Sequence, residues 1–180
     1  MTALRPTAQL TPAPLAPSQL SPNFSLAEMT VSQLAVRRGF ANVPSAAQVA
    51  NLRRLCVTAL EPLRMAIGGV PLVVSSGYRN ASLNLLIGGA INSDHMDGRA
   101  ADVTAPGYMG GSVLALAGAF LTRANTTLPG VAPIEFDQLI FEGSWLHITI
   151  PRAGARGRRE VLTATFRPQK PTVYKQGLPT

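Results

Sequence analysis

No apolar run in this chain goes far before a glycine, a proline or a charge interrupts it. That punctuation bounds what it can fold into. None of the runs reaches the roughly 20 residues that a membrane-spanning helix needs, so no membrane span is expected and the elements must be short. At 180 residues the chain is still long enough for one domain with a real core. A single cysteine, Cys56, excludes an internal disulfide and a cysteine-based zinc cluster. It falls in an apolar helical pattern and reads as a small core residue.

Residues 1–22 carry prolines at 6, 12, 14, 17 and 22 and show no amphipathic period, which predicts an extended, disordered leader. The start, Met-Thr-Ala-Leu-Arg-Pro, lacks the apolar core of a secretory signal, so synthesis in a cytoplasm is expected. Order should begin at Phe24, where Ser25 and Glu28 have capping-box spacing. Ser45 and Gln48 repeat that signal. Behind them Val49, Leu52, Cys56, Ala59, Leu60 and Leu63 recur at helical spacing, predicting the longest helix over 46–67. Pro62 should kink it or loosen its last turn, and Gly68-Gly69 should end it. Val70–Ser75 reads as a buried strand and Asn80–Ile87 as a short helix. Ala100–Thr104 reads as a second strand, and Gly110-Gly111-Ser112 opens a largely buried helix to about Arg123. Phe136–Phe141 and Trp145–Ile150 alternate around a tight turn and predict an antiparallel hairpin; Glu160–Phe166 suits one more strand. This order describes an α+β fold, a small and largely antiparallel sheet with helices packed on it.

The net charge of +7 is uneven. Residues 151–180 hold seven basic groups against Glu160 alone. A basic strand and tail could favour an anionic polymer or simply aid solubility. Nothing in it matches a nucleic-acid-binding motif, so nucleic acid is not the expected partner.

The chain has only two histidines, and both sit beside carboxylates and glycines. His95 lies in Ser93-Asp-His-Met-Asp-Gly-Arg-Ala-Ala-Asp102, and His147 in Glu142-Gly-Ser-Trp-Leu-His147. Gly98 lets the backbone turn between His95 and Asp102, and Ala100 and Ala101 let the next strand approach. A loop imidazole, a strand carboxylate and a second strand imidazole would make a three-ligand zinc site with an open position. The same residues also fit two hydrogen-bonded histidines without metal. A hydrolytic site needs a base, for which Glu142 in the hairpin turn leads and Asp137, one strand back, follows. Asp94 and Asp97 read as loop-capping or solvated groups rather than ligands.

Ser93-x-His95-x-x-Gly98-x-Ala100-x-Asp102, followed by Trp145-x-His147, resembles the zinc D-Ala-D-Ala carboxypeptidase-like peptidases, with a Hedgehog-like fold. The likeness extends through Ser75-Ser-Gly-Tyr-Arg79 and Leu83-Asn84 to Gly88-Gly89. Phe24–Arg54 and Asp137-Gln-Leu-Ile-x-Glu142 look like the phage and prophage branch. The resemblance covers about residues 23–150 as the peptidase domain and leaves 151–180 outside. It implies zinc on His95, Asp102 and His147, and peptidoglycan stem peptides as substrate. It also implies Arg79 as a carboxylate or oxyanion partner and Ser93 as a substrate or loop hydrogen-bonding group. Action would be at the bacterial cell wall, after release or as part of a virion. Many members carry the catalytic acid three residues before the second histidine, where this chain has Ser144. A non-catalytic virion or wall-binding module on the same scaffold is the alternative.

Overall fold

The computed structural model describes residues 18–167 and 170–179. Two helices, α1 (Leu26–Thr30) and α2 (Gln33–Arg37), follow a small hairpin of β1 (Gln19–Ser21) and β2 (Phe24–Ser25). Ser25 accepts from the Glu28 N–H at the start of α1, as its spacing predicts. Ser45 and Gln48 form the full capping box of α3 (Ala46–Leu55). Residues 1–17 of the expected leader lie outside the described residues. Its last residues correct that expectation: β1 is paired, and Leu20 is 1% exposed in the main core. Pro22 does not prevent this, because it sits in the turn between the two short strands.

The long helix runs on past α3, but not as one α-helix. Pro62 has no N–H to give the Thr58 carbonyl. The preceding turn, Cys56–Leu60, widens into a π-turn closed by the Glu61 N–H to the Cys56 carbonyl, and α4 (Glu61–Ala66) continues. The predicted kink is thus taken up one turn early. Gly68 and Gly69, at φ 75° and 80°, end the helix by donating to the Met65 and Arg64 carbonyls. Cys56 is buried in the core, where desolvation pushes its thiol well above the usual range.

The main sheet contains β3 (Val73–Ser76), β4 (Ala100–Thr104), β5 (Gln138–Phe141), β6 (Leu146–Thr149), β7 (Glu160–Arg167) and β8 (Lys170–Gln176). Their order across it is β3-β4-β6-β5-β7-β8, and only β5 and β7 pair in parallel. The α+β reading holds. The strand expected to be buried from Val70 is a shorter edge strand, with Val73 half exposed and Val74 buried. The C-terminal segment supplies two strands rather than one, so the sheet extends well beyond residue 150.

Helices cover one face. Ala101, Val103, Leu139, Leu146 and Ile148 point into a core shared with α3, α4 and α6 (Val113–Ala124). The intervening residues Asp102, Ile140 and His147 therefore face the other way. The short helix α5 (Ala81–Leu86), capped by Asn80, and the loop after it flank that open face. Among the described residues no helix is long and apolar enough to cross a membrane.

If residues 18–21 belong to the folded unit, Leu20→Ala should lower unfolding stability by about 2–4 kcal/mol in a urea titration. A loss below about 0.5 kcal/mol would return them to the leader.

Candidate metal centre and cleft

Asp102 on β4 and His147 on β6 are directly opposed in the antiparallel register. Their side chains share the open face, and His147 Nδ1 lies 2.7 Å from Asp102 Oδ1. His95 comes from a loop that several bonds hold against the sheet. Gln48 and Asn51 on α3 donate to the Met96 and Asp97 carbonyls at 2.8 and 2.9 Å. The Arg79 N–H donates to the His95 carbonyl. Gly98 is required at its position: its φ is 71°, and a Cβ there would sit 2.6 Å from the Gln48 carbonyl oxygen.

His95 Nδ1 donates to the Gly77 carbonyl at 2.6 Å. That bond leaves a lone pair on Nε2, which faces Asp102 Oδ1 at 3.4 Å and His147 Nδ1 at 3.3 Å. A zinc–nitrogen distance of about 2.0–2.1 Å in tetrahedral geometry places ligands roughly 3.3 Å apart. Two sides of this triangle match that spacing, and the third is shorter. The three atoms are the one His/Cys/Asp/Glu group with metal-binding spacing among the described residues. Lone pairs crowded together in a nearly buried place repel one another unless a proton or cation lies between them, so the donor set fits a metal ion. Burial pushes His95 toward its neutral form, the form that ligates, against the pull of Asp102. Burial also acts to raise the Asp102 carboxyl, but His95 and His147 outweigh it and hold the group far below the usual carboxylate range.

A cleft of roughly 730 Å³ opens over this triangle. Arg79, Ser93, Glu142 and Asp137 all line it. Arg79 donates to Ser93 Oγ at 3.3 Å, while its buried Nε has no partner among the described residues. Desolvation lowers its pKa, partly offset by Asp102 and Glu142. Ser93 thus orients Arg79. Glu142 follows β5 in the tight turn, fixed by its N–H to the Trp145 carbonyl. Burial pushes its carboxyl up, against the opposing influence of His147.

Asp137 differs. It accepts from the Arg158 backbone N–H, Nε and Nη2 at 3.0, 3.1 and 2.8 Å, and these bonds hold its carboxyl low. Three of its lone-pair sites are thus engaged by Arg158. Asp94 and Asp97 are not ligands, but neither are they simple loop caps. Both pair with Arg99, which is 5% exposed and also donates to the Ile150 carbonyl at 2.9 Å. Arg99 and Arg158 escaped the sequence reading because their partners are 2 to 51 residues away and no spacing marks them. The contribution of Phe166, Thr172 and Tyr174 to the cleft wall was also missed. The alternation of residues 160–166 hinted at a strand, but its parallel docking on β5 has no local signal.

Residues 22–125, more than half of the chain, match a family model described as Peptidase M15. That span holds Arg79, Ser93, His95 and Asp102 and ends before Asp137, Glu142 and His147. A stretch of 46 residues is 46% identical to the zinc D-Ala-D-Ala carboxypeptidase of Streptomyces albus G. The match takes in 26% of this chain and 18% of that relative's length.

Two outcomes test this geometry. Arg99→Leu frees the His95 loop from Ile150, so zinc affinity in a chelator competition should fall roughly tenfold. For Asp137 the folded pKa lies below the unfolded value. The Arg158 pairing therefore stabilises above about pH 4 and is lost as pH falls through the lowered folded value. Arg158 is largely exposed, so Asp137→Asn should cost no more than about 1 kcal/mol at pH 7. That difference should vanish in denaturation curves at the acid end.

Proposed function

Because the chain belongs to the peptidase M15 family, we propose that it is a zinc peptidase hydrolysing an amide bond in the stem peptides of peptidoglycan. The observation that carries this reading is the triangle of ligand atoms from His95, Asp102 and His147, facing a cleft beside a half-buried glutamate. The named relative acts as a zinc D-Ala-D-Ala carboxypeptidase, which favours the same substrate class here. Both a carboxypeptidase and an endolysin-like endopeptidase of the phage type fall within it, and the place of action is the bacterial cell wall.

His95 Nε2, Asp102 Oδ1 and His147 Nδ1 would hold the zinc. The chemistry it supplies when bound is Lewis acidity, which polarises a carbonyl and acidifies water. Glu142 is the general base: its carboxylate takes a proton from water and returns it to the leaving amine. Its raised pKa suits both steps, since a stronger base accepts more readily and still releases to an amine. Asp137 is the weaker choice, because Arg158 occupies its oxygens and lowers its basicity. Arg79, held by Ser93, offers guanidinium N–H groups to a substrate carboxylate or to the developing oxyanion.

Mass spectrometry of muropeptides incubated with zinc-loaded protein tests the reading. Cleavage should stop on chelation and return with zinc. Glu142→Gln should slow turnover by about 10²–10⁴-fold with zinc still bound, and Asp137→Asn should stay within a few-fold of wild type. Zinc-loaded wild type that leaves every muropeptide intact would favour a non-catalytic wall-binding module instead.

A further inference from the structure

Three arginines line the cleft. Arg99 is bound to Asp94 and Asp97, and Arg158 to Asp137 and Glu160. Among the described residues the side chain of Arg79 meets only the neutral Ser93 hydroxyl. That leaves Arg79, in the segment after β3, to meet a substrate carboxylate, one of the two roles proposed for it above. The ligand triangle lies next, on β4 and β6. Past it the open face continues across β5, β7 and β8, with Ile140, Leu162 and Ala164 as a second apolar cluster. Phe166 on β7 and Tyr174 on β8 rise at its far end, 54% and 53% exposed although they line a cleft. Trp145 packs against Phe166, with ring centroids 5.8 Å apart and planes tilted by 37°.

We propose that Phe166, Tyr174 and Trp145 form an aromatic shelf that selects the substrate by what lies on the acyl side of the scissile bond. This rests on the peptidase reading above. Strands spaced about 4.8 Å apart put β8 up to roughly 14 Å from His147 across a flat sheet, about four residues of extended peptide. An acetylated dipeptide anchored at Arg79 is too short to reach Phe166 or Tyr174 across that span; a whole stem peptide is long enough. Exposed ring faces on an apolar floor bind C–H-bearing surface, which the aliphatic stem of a stem residue and a sugar ring both present. The shelf lies outside the residues that match the family model.

Trp145 is the sole tryptophan and lines the cleft two residues from His147, so its fluorescence reports occupancy by short and long ligands without turnover. Zinc-loaded Glu142→Gln protein, with and without Phe166→Ala plus Tyr174→Ala, would be titrated with acetyl-D-Ala-D-Ala, a stem pentapeptide and the disaccharide pentapeptide. The double substitution should weaken binding of the pentapeptide about tenfold and leave the acetylated dipeptide within twofold. Tyr174→Phe, which keeps the ring, should retain the affinity. An equal loss for both long ligands supports the peptide contact, and a loss confined to the disaccharide ligand overturns it. Equal weakening of all three ligands, or of none, overturns the shelf, as does a protein that binds none of them. Cleavage of muropeptides by zinc-loaded wild type is scored separately, so the peptidase reading can survive failure of the shelf.

Discussion

Three lone-pair donors forced together in a nearly buried place are the constraint on which the rest of this structure depends. Without a proton or a cation between them, the lone pairs of His95, Asp102 and His147 would repel one another at these distances. The scaffold nevertheless holds them there. Register sets Asp102 opposite His147. The Gly77 carbonyl fixes the ring of His95, while α3 and Arg99 hold its loop. A bound cation then satisfies what the fold has gathered.

The one-sided sheet follows from the same need. Helices fill one face with Ala101, Val103, Leu146 and Ile148, so the alternate residues must face outward. A slip of one residue in β4 or β6 would exchange core and site. The open face becomes a cleft because other segments rise around it. Arg79 and the loop after α5 stand on one side, and the β7–β8 hairpin stands on the other. The basic C-terminal segment is therefore part of the architecture. Arg158 occupies Asp137, and Arg159 bonds the Ala124 carbonyl and Asn125 at the end of α6.

Local signals suffice where short-range physics decides. The caps at Ser25 and Ser45, the helix stop at Gly68-Gly69 and the 136–150 hairpin all appear in the structure. Distant groups decide the rest. Proline-rich composition hid β1, which exists because Leu20 finds the core beside the long helix. Asp94 and Asp97 looked like turn caps, since nothing nearby announces that Arg99 will be buried between them. In sequence Glu142 leads and Asp137 follows; Arg158, 21 residues from Asp137, engages only Asp137.

The sequence by itself determined the donor chemistry: two histidines, a glycine-hinged link from His95 to Asp102, and alternation that puts His147 on the face opposite the core. Those are matters of residue type and period. Tertiary structure alone decided that the three donors meet, that Arg158 engages Asp137 rather than Glu142, and that the last two strands wall the cleft. Each depends on which strand lies beside which, and strand order is settled by long-range packing that no local window of sequence contains.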